Sequence, residues 1–237
     1  MITLNNKIIL ITGVTGALGQ STAQCFQQAG ATLAITGRNS DTLAQIQTQF
    51  GLGSEHHAQA CDLTDKQQCT QMINAIIERY GHIDACLNVA GGFAMGTPVH
   101  ELEDEDFNHM FTMNFTSTFN TCRAVLPHMI ARGQGNIVNV SARAALAGKG
   151  NMAPYCIAKS AVVTLTESLA AEHHADNINI NCILPGTIDT PTNRQDMPNA
   201  DHSTWVPCED LANTMLFLTS SLAQSINGAV IPVYGKS

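Results

Sequence analysis

Along the chain, short apolar runs rich in β-branched residues alternate with longer segments whose apolar residues recur at helical spacing. The strand-like runs are 7–12, 31–36, 57–61, 83–89, 135–140, 178–184 and 229–233. After the first of them, 17–29 places Leu18, Ala23, Phe26 and Ala29 on related helix faces and stops at Gly30, as a helix C-terminus does. Residues 41–50 follow Ser40, a good N-cap. Residues 65–80 carry Cys69, Met72, Ile73, Ile76 and Ile77 on one stripe and end at Gly81, while 107–131 and 152–175 are the longest helical stretches. Continuous apolar strands separated by helices predict a parallel sheet covered on both faces. Seven strand signals with six helical segments between them therefore predict one doubly wound α/β domain over 1–237, undivided by linker, repeat or low-complexity stretch.

Composition agrees with that picture: 44% of the 237 residues are hydrophobic and 13% charged, enough apolar side chain for one large core. A net charge of −8 and the lack of any Lys/Arg run argue against a nucleic-acid or anionic-membrane surface and leave a small molecule as the expected partner. The eight cysteines are scattered, without Cys-x-x-Cys or Cys/His finger spacing, which predicts reduced core thiols and no metal site. His56-His57 and His173-His174 read as solvated surface, because neighbours diverge on a helix and point to opposite faces of a strand. The run Ile8 to Ile11 is too short for a signal segment or a membrane span, and no later run is long enough, so a cytoplasmic location is expected.

The chemistry begins at Thr12-Gly-Val-Thr-Gly-Ala-Leu-Gly19, which follows the first strand and opens the first helix. Glycine lets the backbone turn tightly and approach a pyrophosphate, and the free N–H groups of a helix start face the negative charge. Gly13, Thr15, Gly16, Leu18 and Gly19 are the candidate contacts. After the second strand a carboxylate would hold a ribose 2′-hydroxyl, whereas an Arg accommodates a 2′-phosphate. Here the sequence runs Ile35-Thr36-Gly37-Arg38-Asn39, so Arg38 favours NADP(H), with NAD(H) as the other option. Further on, Tyr155-Cys-Ile-Ala-Lys159 stacks a phenol and an ammonium one helical turn apart. A nearby Lys charge favours the phenolate and is expected to pull the Tyr pKa down from about 10 toward usable acid/base range.

With these motifs the chain resembles the short-chain dehydrogenase/reductase family, a Rossmann-type fold, over essentially its whole length. The resemblance rests on the glycine loop 12–19, Asp62-Leu63, Asn88-Val-Ala-Gly91, Asn114, Asn139, Tyr155/Lys159 and Pro185-Gly-Thr-Ile-Asp-Thr190. It implies that Tyr155 is the general acid/base, that Lys159 lowers its pKa and binds the nicotinamide ribose, and that Asn114 holds a proton-relay water. It also implies cofactor contacts at Asp62 and Leu63 for the adenine, at Asn88, Ala90 and Gly91, at Pro185 and Gly186, and at Ile188 and Thr190 for the carboxamide. A buried Asn bonded to backbone is an equal reading of Asn114.

Two positions depart from the family pattern. Ala17 stands where the family has its second glycine, and Ala142 stands thirteen residues before Tyr155, where the family has a catalytic serine. Ser141 is adjacent, but neighbours at a strand end point in opposite directions. The segment from Ala142 to Gly148 and the segment from Asp189 to Trp205 are similar to the dihydropteridine reductases, which also lack the serine but prefer NADH. Three functions therefore stay open: an NADPH-dependent reductase of a small carbonyl or conjugated imine, a dihydropteridine-type reductase of quinonoid pterin, or an NADP(H)-binding sensor with little turnover. The resemblance further implies a homodimer or homotetramer through 107–131 and 152–175. Cys156 is expected to be an inert thiol, and Trp205 either lines the pocket or anchors packing.

Overall fold

The structure, a computed structural model, describes residues 2–236. Seven parallel strands form the sheet: β1 (Ile8–Thr12), β2 (Thr32–Gly37), β3 (His57–Ala60), β4 (Ala85–Asn88), β5 (Gly135–Val140), β6 (Ile178–Pro185) and the last strand, β9 (Val230–Val233). Their order in space is β3-β2-β1-β4-β5-β6-β9. This is the doubly wound, Rossmann-type arrangement that the alternating pattern predicts.

Alternation along each strand divides the core in two. Ile9 and Ile11 of β1 join Leu33 and Ile35 of β2 on one face, under Phe26 of α1 (Ala17–Gln28), Ile46 of α2 (Ser40–Gln49) and Met215 of α8 (Cys208–Thr219). Leu10 and Cys86 point the other way, into Ile73 and Ile76 of α3 (Lys66–Tyr80), Val125 and Met129 of α5 (Ser117–Arg132) and Ala170 of α6 (Ala153–Glu172). The inner strands β1, β2, β4, β5 and β6 are thus buried on both sides, and this is why they read as continuous apolar runs, while the edge strands β3 and β9 are only partly covered.

Several local expectations need correction. Asn39, not Ser40, caps α2, its side-chain oxygen accepting from the Thr42 amide at 2.9 Å. The stretch 107–131 is not one regular helix: α4 (Asp104–Phe111) passes through a π-helical turn at Thr112–Thr116 before α5 begins. The extra residue of that turn changes which side chains face the sheet, something apolar spacing alone does not reveal. His56 is buried rather than solvated, because its Nδ1 accepts the Leu33 amide at 2.9 Å beside the sheet edge. Burial lowers its pKa, and this keeps the accepting nitrogen unprotonated. The interval between β6 and β9 also holds a small parallel pair, β7 (Ile188–Asp189) with β8 (Val206–Pro207), and the short helix α7 (Pro191–Asp196). Trp205 is packed inside this excursion against His202 rather than facing the cleft. Among the described residues no helix is long and apolar enough to cross a membrane.

One charged knot ties the N-terminal edge of the sheet. Asp84, just before β4, accepts from the Ile8 amide at 2.8 Å, Lys7 at 3.2 Å and Arg132 at 3.0 Å. Burial alone would raise its carboxyl pKa; the Ile8 amide, Arg132 and Lys7 outweigh that and hold it below the usual carboxylate range. Its stabilising effect is therefore present above the ordinary carboxylate pKa and lost as pH falls through the depressed one. Asp84→Ala should lower stability in urea unfolding by about 2–4 kcal/mol at neutral pH, since it strands two cations and a buried amide. The deficit relative to the native chain should shrink in acid.

Candidate active site

The chain leaves β1 and β4 toward opposite sides of the sheet, so a crevice opens beyond their C-terminal ends. There the structure has a cleft of about 1320 Å³. Thr12 organises its floor: its hydroxyl donates to the Leu87 carbonyl at 3.3 Å and accepts the Val89 and Ala90 amides, each at 3.1 Å. Gly13 has φ +68°, and a Cβ there would lie 2.6 Å from the Ala90 Cα. Only glycine permits both that conformation and that approach. A Cβ on Gly19 would strike the backbone of Gly13 and Val14, so it too must be glycine for α1 to start so close to β1. No side chain caps α1, and the amides of Ala17, Leu18 and Gly19 have no acceptor among the described residues. Free amides, a bare helix start and room above them fit a pyrophosphate.

Gly13, Thr15, Gly16, Leu18, Gly19, Arg38, Asp62, Leu63, Ala90 and Gly91 all line this cleft, as do Asn114, Tyr155, Lys159, Pro185, Gly186 and Ile188. Arg38 is exposed at the end of β2 and has no ion-pair or hydrogen-bond partner among the described residues. Asp62 is occupied locally, accepting from the Thr64 amide and hydroxyl at 3.0 and 2.7 Å. Two expected contacts lie elsewhere. Asn88 is buried behind the cleft, donating to Asn139 Oδ1 at 2.9 Å, and Asn139 in turn donates to Thr166 at 2.9 Å. Thr190 caps α7, accepting the Asn193 amide at 3.1 Å, and is not among the lining residues.

At the inner end, α6 brings Tyr155 and Lys159 together, with the Lys159 Nζ 5.9 Å from the centre of the Tyr155 ring. The Tyr155 hydroxyl has no partner among the described residues and is free to meet a ligand. Lys159 Nζ donates to the Val140 carbonyl at 3.1 Å, and the Ser141 hydroxyl donates back to the Lys159 carbonyl at 2.7 Å. Ser141 is thereby committed to the helix backbone, while Ala142 sits in an apolar cluster with Ala144, Met152, Tyr155 and Cys156. Asn114, in the π-helical turn, accepts the Gly92 amide at 3.1 Å and donates to the Met110 carbonyl at 3.0 Å, so both ends of its amide bond to backbone.

The electrostatics differ from the sequence-based expectation. Tyr155 is not drawn down by Lys159; burial, with Cys156 adding to it, pushes its pKa up to about 12. Burial also lowers Lys159 to about 8. Both groups have lost water, and the ammonium is directed at a carbonyl rather than at the phenol. Sequence reasoning also missed the wall facing Tyr155. Phe93 meets its ring edge-on, with centroids 4.9 Å apart, Met152 packs beside it, and Met95, Met113 and Met197 also line the cleft. The one legible hint was apolar side chains placed in loops just after strand ends, where the core cannot use them.

The short chain dehydrogenase family matches residues 7–201. The chain belongs to the short-chain dehydrogenase/reductase family. FabG, the 3-oxoacyl-(acyl-carrier-protein) reductase of Thermotoga maritima, is 30% identical over 244 residues, covering 98% of this chain and 98% of its own. A 3alpha-hydroxysteroid dehydrogenase of Mediterraneibacter gnavus is 30% identical over 246 residues, covering 99% and 98%. Among solved structures, levodione reductase superposes with a TM-score of 0.90 at 27% identity, over 98% of this chain and 97% of that one. These relatives are named for oxoacyl, hydroxysteroid and dione chemistry, not for pterin. As a short-chain dehydrogenase/reductase, the protein is an NAD(P)-dependent oxidoreductase.

Because burial depresses Lys159, its ammonium is present below about pH 8 and lost above it. Affinity for reduced nicotinamide cofactor, followed by fluorescence titration, should weaken as pH rises through about 8. Lys159→Met should bind less tightly and lose that dependence; a native affinity flat across the window would show that the ammonium does not contact the cofactor.

Proposed function

We propose that the protein is an NADPH-dependent reductase of a small carbonyl or conjugated imine, with Tyr155 as the proton donor. The observation that carries this reading is the unpartnered Tyr155 hydroxyl at the inner end of the glycine-floored cleft, one turn from Lys159. NADPH supplies hydride when bound. The residues of the chain do the rest. Gly13, Gly16, Gly19 and the bare start of α1 receive the pyrophosphate, and Asp62 and Leu63 flank the adenine. Ala90, Gly91, Pro185, Gly186 and Ile188 border the nicotinamide, and Lys159 holds the ribose. Asn114 fixes the Gly92 turn through its side-chain oxygen.

A phenol pushed up to about 12 is protonated throughout the physiological range, the state that an acid needs to quench a developing oxyanion. Tyr155→Phe should therefore cut turnover by about 10²–10⁴-fold, the usual weight of one positioned acid, while NADPH affinity stays nearly intact. Unchanged turnover would remove Tyr155 from the reaction.

NADPH rather than NADH is supported by Arg38, free at the cleft edge where β2 ends without a carboxylate. Losing a charge-assisted contact costs about 1.5–3 kcal/mol, so Arg38→Asp should move the NADPH/NADH preference by about tenfold or more toward NADH. No movement in steady-state kinetics with the two cofactors would mean that Arg38 never meets the 2′-phosphate.

Assembly as a homodimer or homotetramer is part of the same reading. Phe119 and Ile130 on α5 and Ile157 on α6 expose apolar surface on the two helices assigned to subunit contact.

A further inference from the structure

The substrate end of the cleft has a chemical character of its own, and resting on the reductase reading it narrows the substrate. The residue that should offer a hydroxyl to a substrate oxygen is Ala142, and its neighbour Ser141 has its proton on the Lys159 carbonyl at 2.7 Å. In its place Ala142, Ala144, Met152 and Cys156 form an apolar cluster against the Tyr155 ring. Opposite stands Phe93, 54% exposed and edge-on to Tyr155, with Met95 60% exposed beside it. The charged residues that also line the cleft do not belong to that cluster. Lys149 and Glu105 are solvent-exposed, and the Arg143 guanidinium lies 5.5 Å from the centre of the Tyr234 ring.

Within that cluster a developing oxyanion meets one proton donor, Tyr155, and no second hydroxyl. For a simple ketone the missing donor is worth about 10²–10³ in rate. The deficit is smallest for a substrate that stabilises the oxyanion itself. Flat apolar surfaces and mobile thioethers also suit a planar, uncharged frame better than a charged or polyhydroxylated one.

The geometry points to an aryl vicinal dicarbonyl, two adjacent carbonyls on a flat apolar frame, as the substrate class of this cleft. In the reduction one keto carbon gains a hydride, with its two electrons, from the dihydronicotinamide of NADPH. The C–O π pair becomes the oxyanion, which the adjacent carbonyl renders less basic by withdrawing charge, and the oxyanion takes the Tyr155 proton. The products are an α-hydroxyketone and oxidised cofactor, and the Tyr155 phenolate regains a proton from solvent.

The test compares 1-phenyl-1,2-propanedione with 1-phenyl-1-propanone, which lacks only the second carbonyl, and with benzoylformate, which replaces the methyl ketone by a carboxylate. NADPH oxidation is followed in the native chain, Ala142→Ser and Phe93→Ala. In the native chain the dione should exceed both comparison substrates in kcat/KM by about 100-fold or more, the weight of an absent donor. Ala142→Ser should raise the monoketone far more than the dione and close most of that gap. Phe93→Ala should raise the dione KM several-fold with a smaller effect on kcat. A monoketone or benzoylformate used within tenfold of the dione would overturn the substrate assignment and leave the reductase reading standing. So would an Ala142→Ser variant that binds NADPH normally yet leaves the ratio unchanged. Tight NADPH binding with no turnover of any of the three would overturn both.

Discussion

The close approach of the β1 and β4 ends governs the rest of the site. The chain turns away from β1 to one side of the sheet and from β4 to the other, which leaves the cleft between them. Thr12 closes its base, one buried hydroxyl serving the Leu87 carbonyl and two amides of the following turn. Gly13 then passes over Ala90 with no space for a side chain. Move these two backbones apart by the width of a methyl group and the glycine loop, the 88–91 turn and the start of α1 lose their common register. Gly13 and Gly19 are therefore required by the backbone packing before any ligand binds. Their fit to a pyrophosphate follows from the same closeness.

Behind the cleft, buried polar groups are joined in chains. Asn88, Asn139 and Thr166 form one chain across β4, β5 and α6. Lys159 reaches the Val140 carbonyl, Ser141 reaches the Lys159 carbonyl, and Ser160 reaches the Ala145 carbonyl at 2.7 Å. These three bonds link α6 to the end of β5 and the turn that follows it, so the helix that carries Tyr155 can neither slide nor rotate without exposing unpaired groups at about 1–3 kcal/mol apiece. The position of the phenol is thus set by bonds that never touch it.

The layout of the fold was legible because its signals are local and periodic. Strands buried on both faces read as apolar runs, and Gly30 and Gly81 end their helices with positive φ. What escaped was set by contacts between segments distant in sequence. Nothing near His56 announces that its nitrogen will accept the Leu33 amide. Asn88 lies inside a binding motif yet points into the core, because a strand-end residue can serve either side and Asn139 claims it. The spacing of Tyr155 and Lys159 fixed their shared face but not the Val140 carbonyl that draws the ammonium aside. A pKa is a sum over everything that surrounds a group, so a two-residue motif cannot supply even its direction.

That last point connects the missing serine to the state of Tyr155. Replacing a hydroxyl by the Ala142 methyl removes a hydrogen-bond donor and, with Met152 and Cys156, completes a dry wall against the phenol ring. A dry wall penalises the phenolate, which is why burial heads the causes of the upward shift. In the proposed reductase this suits one direction of reaction. Reduction begins with a neutral phenol and ends with a charge that solvent can discharge, whereas oxidation would need the phenolate formed first in the apolar pocket. The substitution that weakens support for the substrate oxygen also holds the proton on the group that must give it up. Only a substrate whose oxyanion needs little outside help benefits from both effects at once.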